Sequence, residues 1–250
     1  MRTPDGPRTV WIEGERVALL RGDFEAGFER TGQTLRFDAA ALLAPVQPSK
    51  VVLLASNYPK HAAEMGNPVP SVPKIFLKPS TAVIGPNEPI VLPPVTTRVD
   101  PEGELAFVIG RRTARIAPEQ AWDHIFGFTA VNDVTARDFQ KQDKVFARAK
   151  GFDSFCPTGP WIETDLDVTD VPVTTSVNGV QRAIGYSSHM VFDIPSALSF
   201  ISHVMTLLPG DLVSMGTCPG VAPIVAGDVV EVAIEGLGVL RNPVVDRDDR

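Results

Sequence analysis

The sequence predicts an α+β fold that is mostly β. Short apolar runs with strand character outnumber helical patterns along the 250 residues. Few helical patterns fall between successive strands, which argues against a regular parallel βαβ array. Asn178-Gly179 sits between two alternating segments and is a strong type I′ hairpin signal.

The elements follow in chain order. Residues 8–20 read as a hairpin, because Val10, Ile12, Val17 and Leu19 alternate with other residues around Glu13-Gly14-Glu15. A second strand pair is expected around Thr31-Gly32-Gln33, with Phe28, Leu35 and Phe37 as apolar positions. Ala39 to Leu43 reads as a short helix or turn, and Pro45, Pro48 and Ser49 then punctuate the chain. These breaks divide the chain into a small N-terminal domain over residues 1–46, a main domain over 47–247 and a frayed tail over 248–250.

In the main domain, Lys50 to Ala55 is a buried strand by its apolar run. Pro59 suits the first turn of a helix that ends by Gly66 and Pro68, and a proline-rich loop to Pro73 follows. Residues 75–79 and 90–94 are strands stopped by proline. Glu102 to Ile109 is a strand, Pro118 to Phe126 a helix with Ala121, Trp122 and Ile125 on one face, and Gly127 its end. Phe128 to Val131 is a strand delivering Asn132 and Asp133, and Val134 to Gln142 forms a helical turn or two. Residues 150–159 form a loop. Val171 to Val177 and Val180 to Ile184 are the two arms of the Asn178-Gly179 hairpin. Ile194 to Leu208 is an amphipathic helix with Ala197, Leu198, Ile201, Met205 and Leu208 on one stripe. Strands at 212–215, 229–234 and 239–245 complete the chain.

Composition narrows the function. The net charge of -7 supplies no basic field to replace phosphate counterions, which argues against a nucleic-acid partner. Cys156 and Cys218 form no CxxC pair, so zinc and thioredoxin-like motifs are unsupported, and two reduced thiols are expected. The first residues lack an apolar signal core, and no window approaches 18 consecutive apolar residues. A cytoplasmic protein with no membrane partner is the resulting expectation.

The chemistry concentrates between Val99 and Gln140. Glu102 and Glu104 have period-2 spacing and project from one face of a strand. Two adjacent carboxylates repel unless a cation sits between them. An exposed strand face tolerates such a pair, but the following Leu105-Ala106-Phe107-Val108-Ile109 implies burial. Asp133 adds a third oxygen donor, and a carboxylate set suits Mg²⁺, Mn²⁺ or Ca²⁺ rather than zinc. A lone His61 reads most simply as structural. With Glu64 one helical turn away, it becomes a general base oriented by a carboxylate. Lys78 and Lys150 each stand where an apolar strand meets a loop, either solvated or balancing the anionic site. Thr217 lies in the Gly216-Thr217-Cys218-Pro219-Gly220 loop, which is either an ordinary tight turn or a set of backbone amides facing an anion.

These motifs resemble the fumarylacetoacetate hydrolase family. The matching pieces are Asn57-Tyr58 with His61 and Glu64, Phe76-Leu77-Lys78-Pro79, Glu102-Gly103-Glu104-Leu105, and Asn132-Asp133-Val134-Thr135-Ala136-Arg137-Asp138 with Gln140. Lys150-Gly151-Phe152-Asp153, Gly159-Pro160, Val177-Asn178-Gly179, Leu208-Pro209-Gly210-Asp211 and Gly216-Thr217 continue in the family's order. The resemblance spans about residues 47–247 and implies a roll-like β catalytic domain, a homodimer, and Mg²⁺ held by Glu102, Glu104 and Asp133. It implies a His61–Glu64 pair on a lid, a catalytic Lys150, and substrate contacts from Lys78, Gln140 and Thr217. The implied reaction is hydrolysis of a carbon–carbon bond in a 2,4-dioxo acid, so the partner is a small dicarboxylate or oxo acid. Isomerisation of a 2-hydroxydienoate and decarboxylation of an oxaloacetate-like acid share the same site in related members. A non-catalytic, metal-stabilised binding protein is the reading from another class. Cys218 departs from the family, which usually has proline directly after the threonine.

Overall fold

A computed structural model describes residues 1–247. The frayed tail expected at 248–250 lies outside the described residues. The chain is mostly β with few helices, as its patterning predicts. A three-stranded sheet of Val10–Glu13, Arg16–Asp23 and Gly27–Arg36 forms the small N-terminal part. The main part holds a curled sheet of seven strands in the spatial order Lys74–Lys78, Val51–Ala55, Leu212–Thr217, Gly103–Ile109, Ile125–Asn132, Cys156–Glu163, Val83–Ile84. A five-stranded sheet contains Val180–Tyr186, Pro172–Val177, Val229–Ile234, Gly238–Asp246 and Ile90–Leu92 in that order.

The Gly103–Ile109 strand is central, and every residue in it is buried. Leu105, Phe107 and Ile109 share one apolar cluster with Val173, Val232 and Leu240 of the five-stranded sheet and with Leu198 and Ile201 of the Ile194–Val204 helix. The alternate residues Ala106 and Val108 join Val51, Leu53, Val131 and Leu212. A strand covered on both faces needs a continuous apolar run, which this segment has. Burying each of its large side chains contributes about 1.5–3 kcal/mol. That burial fixes the register, in which Gly103 lies opposite Asn132 and Glu104 opposite Thr217. The carboxylates are thereby delivered to one end of the sheet.

Gly103 is required by its neighbours. A Cβ there would lie 2.2 Å from Thr175 Oγ1 and 3.0 Å from Val232 Cγ1. Gly103→Ala is expected to destabilise the protein by about 1–3 kcal/mol through overpacking. Thr175 Oγ1 has no hydrogen-bond partner among the described residues, so Thr175→Ala is expected to recover part of that loss in the double variant. Thermal unfolding of both single variants and the double tests this, and strictly additive losses would refute the contact.

Several elements differ from the sequence reading. Thr31-Gly32-Gln33 is not a turn. It is a bulge inside one long strand, where the register jumps between Ala18 and Leu20. A glycine flanked by polar residues signals either outcome, and only the partner strand decides. Pro118–His124 is a 3₁₀ helix, whose tighter winding buries Ala121 but leaves Trp122 51% exposed. Gly127 does not end it, but lies within the Ile125–Asn132 strand, where a Cβ would meet Glu163 O at 2.6 Å. The amphipathic helix starts at an Asp193 cap and stops at Val204, so Leu208 is exposed rather than on the stripe. Lys150 ends a short helix, Ala147–Lys150, rather than standing at the junction of a strand and a loop. No helix among the described residues is long and apolar enough to cross a membrane.

Candidate metal and active site

Glu102 immediately precedes the central strand, Glu104 is its second residue, and Asp133 immediately follows the neighbouring strand. The Asp133 N–H donates to Glu102 O at 2.8 Å, locking the two strand ends together. The Glu102 N–H donates to Asn132 Oδ1 at 2.9 Å. One carboxylate oxygen from each of Glu102, Glu104 and Asp133 lies within 4.8 Å of the others, and all three residues are buried.

The three carboxylates are not equivalent. Arg137 donates to Glu102 Oε1 at 2.6 Å, and Lys150 Nζ to Glu102 Oε2 at 2.7 Å. Burial opposes the Glu102 charge, yet Arg137, Lys150 and His61 together hold its carboxyl well below the usual range. Asp133 pairs with both Lys78 and Lys150. Glu104 forms no ion pair among the described residues; its Oε2 accepts from Ser214 Oγ and the Gly216 N–H. Burial, reinforced by Asp133 and Glu102, pushes its carboxyl well above the usual range. A buried carboxylate beside two others, lacking a cation of its own, fits a divalent ion. Hard oxygen donors in this number suit Mg²⁺ or its relatives.

His61 lies on the short Pro59–Glu64 helix, with Pro59 in its first turn. Its Nδ1 is 3.0 Å from Glu64 Oε2 and its Nε2 3.7 Å from Glu102 Oε1. Glu64 Oε1 in turn accepts the Gly220 N–H at 3.0 Å. The amides of the Gly216–Gly220 loop therefore do face anions, and those anions are the protein's own Glu104 and Glu64. Asn57 anchors the start of the helix by donating to Phe192 O and Met215 O and accepting from the Phe192 N–H.

A cavity of about 710 Å³ opens over this cluster, lined by His61, Glu64, the three carboxylates, Arg137, Gln140, Lys150 and Thr217. Gln140 Oε1 accepts from Arg137 at 3.0 Å. The Thr217 hydroxyl donates to Gly103 O at 3.0 Å. Lys150 is buried, with Nζ 4.8 Å from the centre of the Phe76 ring, and its ammonium is stabilised: burial opposes the charge but Asp133 and Glu102 outweigh it. Lys78 departs from expectation. It is 1% exposed, bonds to Asp133 and Val134 O, and is absent from the cavity wall. Its ammonium braces Asp133. Cys218 is buried and its thiol pushed up to about 11, which makes it a poor nucleophile; both cysteines are free.

Asp100 and Arg137 were missed by the sequence reading. Arg137 joins Asp100, Glu102 and Gln140 with one guanidinium. The Asp100-x-Glu102-x-Glu104 alternation carried the signal for Asp100.

A family model described as fumarylacetoacetate (FAA) hydrolase, C-terminal, matches residues 50–245, and one described as Rv2993c-like, N-terminal, matches residues 1–45. The chain belongs to the fumarylacetoacetate hydrolase family. It is 51% identical over 253 residues to protein Rv2993c of Mycobacterium tuberculosis, covering 97% of this chain and 96% of that one. It is 40% identical to oxaloacetate tautomerase fahd2, mitochondrial, of Xenopus laevis, covering 82% of this chain and 68% of the relative. The solved structure of 5-carboxymethyl-2-hydroxymuconate delta-isomerase from Mycobacterium smegmatis superposes with a TM-score of 0.90 at 43% identity, over 98% of each chain. The buried triad agrees with a divalent-metal site in an enzyme of this family.

Proposed function

We propose that the protein is a divalent-metal-dependent enzyme, using Mg²⁺, that interconverts enol and keto forms of a 2-oxo acid by proton transfer at His61. The observation that carries this reading is the alignment of His61, with Nδ1 on Glu64 and Nε2 toward the carboxylate cluster. Glu102, Glu104 and Asp133 would hold the ion, which would supply Lewis-acid chemistry to the bound 2-oxo acid.

The chain's own residues do the rest. Glu64 accepts a hydrogen bond from Nδ1–H, which leaves Nε2 as the basic nitrogen. Nε2 takes a proton from C3 of the keto form, the C–H electron pair forms the C2–C3 double bond, and the proton passes to the oxygen on C2. The reverse path restores the ketone. Lys150 adds positive charge to the wall where negative charge develops. Gln140, held by Arg137, and Thr217 line the space where the substrate is positioned. The names of the 43% and 40% identical proteins, an isomerase and a tautomerase, support this reading.

Hydrolysis of a 2,4-dioxo acid is the second reading. It is favoured by the same His61–Glu64 pair, which the Gly220 N–H anchors as a fixed base for water. Water would add at C4 and the C3–C4 bond would break, giving pyruvate and a carboxylic acid. Proton NMR in D₂O of Mg²⁺-loaded protein with oxaloacetate and with an acylpyruvate separates the two. Accelerated C3 exchange and ketonisation without pyruvate release is expected. Pyruvate release from the acylpyruvate selects the hydrolase, and neither response from metal-loaded protein removes both.

A further inference from the structure

Asp100 is buried and absent from the cavity wall, so a bound substrate does not reach it. Backbone pairing sets its place. Val99–Asp100 runs antiparallel to Thr135–Ala136, with Asp100 opposite Thr135, and the Arg137 N–H donates to Arg98 O at 2.9 Å. That pairing brings two guanidinium groups to one carboxylate. Arg98 donates from Nε to Oδ1 and from Nη2 to Oδ2, both at 3.0 Å, and Arg137 donates from Nε to Oδ2 at 2.8 Å. The Arg98 side chain is 51% exposed and that of Arg137 only 9%. Water screens the first charge, whereas the second is balanced by its buried partners. Each nitrogen of the Arg137 guanidinium has one acceptor. Nε meets Asp100, Nη1 meets Gln140 Oε1 at 3.0 Å, and Nη2 meets Glu102 Oε1 at 2.6 Å. The fork is planar, so holding its Nε edge on Asp100 fixes where the two outer nitrogens point. Lys150 already donates to Glu102 Oε2 at 2.7 Å. Without Asp100, the Arg137 charge would bear on Glu102 as well, in competition with any cation bound there.

We propose that Asp100 is a positioning residue of the metal-suited site, acting through Arg137. It fixes the guanidinium against one oxygen of Glu102 and so orients that carboxylate within the triad. It also offsets the guanidinium charge, which keeps Glu102 available to a divalent ion. This rests on the metal-dependent reading above. Losing a group that orients a metal-binding side chain typically costs about 10–100-fold in ion affinity.

Calorimetric titration of the metal-free protein with Mg²⁺ tests this. Asp100→Asn is expected to weaken Mg²⁺ binding by at least about tenfold. Arg137→Lys keeps the charge but offers a single nitrogen to three separate acceptors, and is expected to weaken binding by a similar factor. Both changes break the same link, so the double variant is expected to bind within about twofold of the weaker single variant. Asp138→Asn, an equal charge change beside Arg137 in sequence but outside the cavity wall, is expected to stay within about twofold of wild type. Unfolding temperatures of the metal-free proteins check folding, and if Asp100→Asn fails to fold, Arg137→Lys alone carries the test. Wild-type affinity in either single variant, losses that multiply in the double, or an equal loss in Asp138→Asn overturns the positioning role and leaves the metal-dependent reading standing. No Mg²⁺ binding by wild type overturns the metal-dependent reading itself.

Discussion

Replacing His61 with alanine is expected to lower kcat by about 10²–10⁴-fold while leaving Mg²⁺ affinity and Tm close to wild type. Its ring nitrogens meet Glu64 and, at 3.7 Å, Glu102, and the metal-suited triad is complete without it. Its loss therefore removes a proton acceptor without removing an oxygen donor. Glu64→Gln is expected to give a smaller loss in the same direction. Glu64 spends one oxygen on His61 and the other on the Gly220 N–H, and an amide offers only one acceptor for those two partners. Steady-state turnover with magnesium titrated to saturation separates an effect on kcat from one on ion binding. Full activity in His61→Ala would mean that the base is another group, and retained ligand binding without turnover in wild type would favour the non-catalytic reading.

The triad was legible because its signals are local. Glu102 and Glu104 share a face by period-2 spacing, and the apolar run after them announced a strand buried on both sides. Asp133 ends a β-branched and apolar segment, so its placement at a strand end also followed from neighbours in sequence. The His61–Glu64 pair needed only one helical turn. What the sequence hid was set by pairing between distant segments. Ser214 and Gly216 reach Glu104 across 110 and 112 residues. Lys78 and Lys150 both stood near strands in the pattern, yet Lys78 ends a strand and braces Asp133 while Lys150 ends a short helix and lines the cavity. Trp122 was misplaced because a 3₁₀ and an α-helical turn share their first few apolar positions. Leu208 was assigned to a helix that loses its ladder at Met205, whose backbone is extended at φ −149° and ψ 152°.

Glu104→Gln is expected to act in opposite directions on stability and on function. The wild-type carboxyl is pushed upward by burial and by Asp133 and Glu102, so in the metal-free protein its charge is costly. The sign follows from linkage. A carboxyl whose folded value is raised keeps its proton while the unfolded chain has lost its own, so stability falls as pH rises from the unfolded value through the folded one. Gln keeps the shape and an oxygen for Ser214 and Gly216, and it carries no charge to repel. Metal-free Glu104→Gln is therefore expected to be more stable than wild type above that window, with no gain below it. The same change removes one of three charged donors from the ion, so Mg²⁺ affinity is expected to fall by at least about tenfold and turnover with it. Urea unfolding of the metal-free proteins across pH gives the first quantity, and calorimetric titration with Mg²⁺ gives the second. Wild-type ion affinity in the variant would remove Glu104 from the metal site. A stability loss matching that of an ordinary buried polar substitution would show that its charge is already balanced. The strain at Glu104 marks it as the carboxylate kept for binding rather than for folding, because the fold supplies cations to Glu102 and Asp133 and withholds one there.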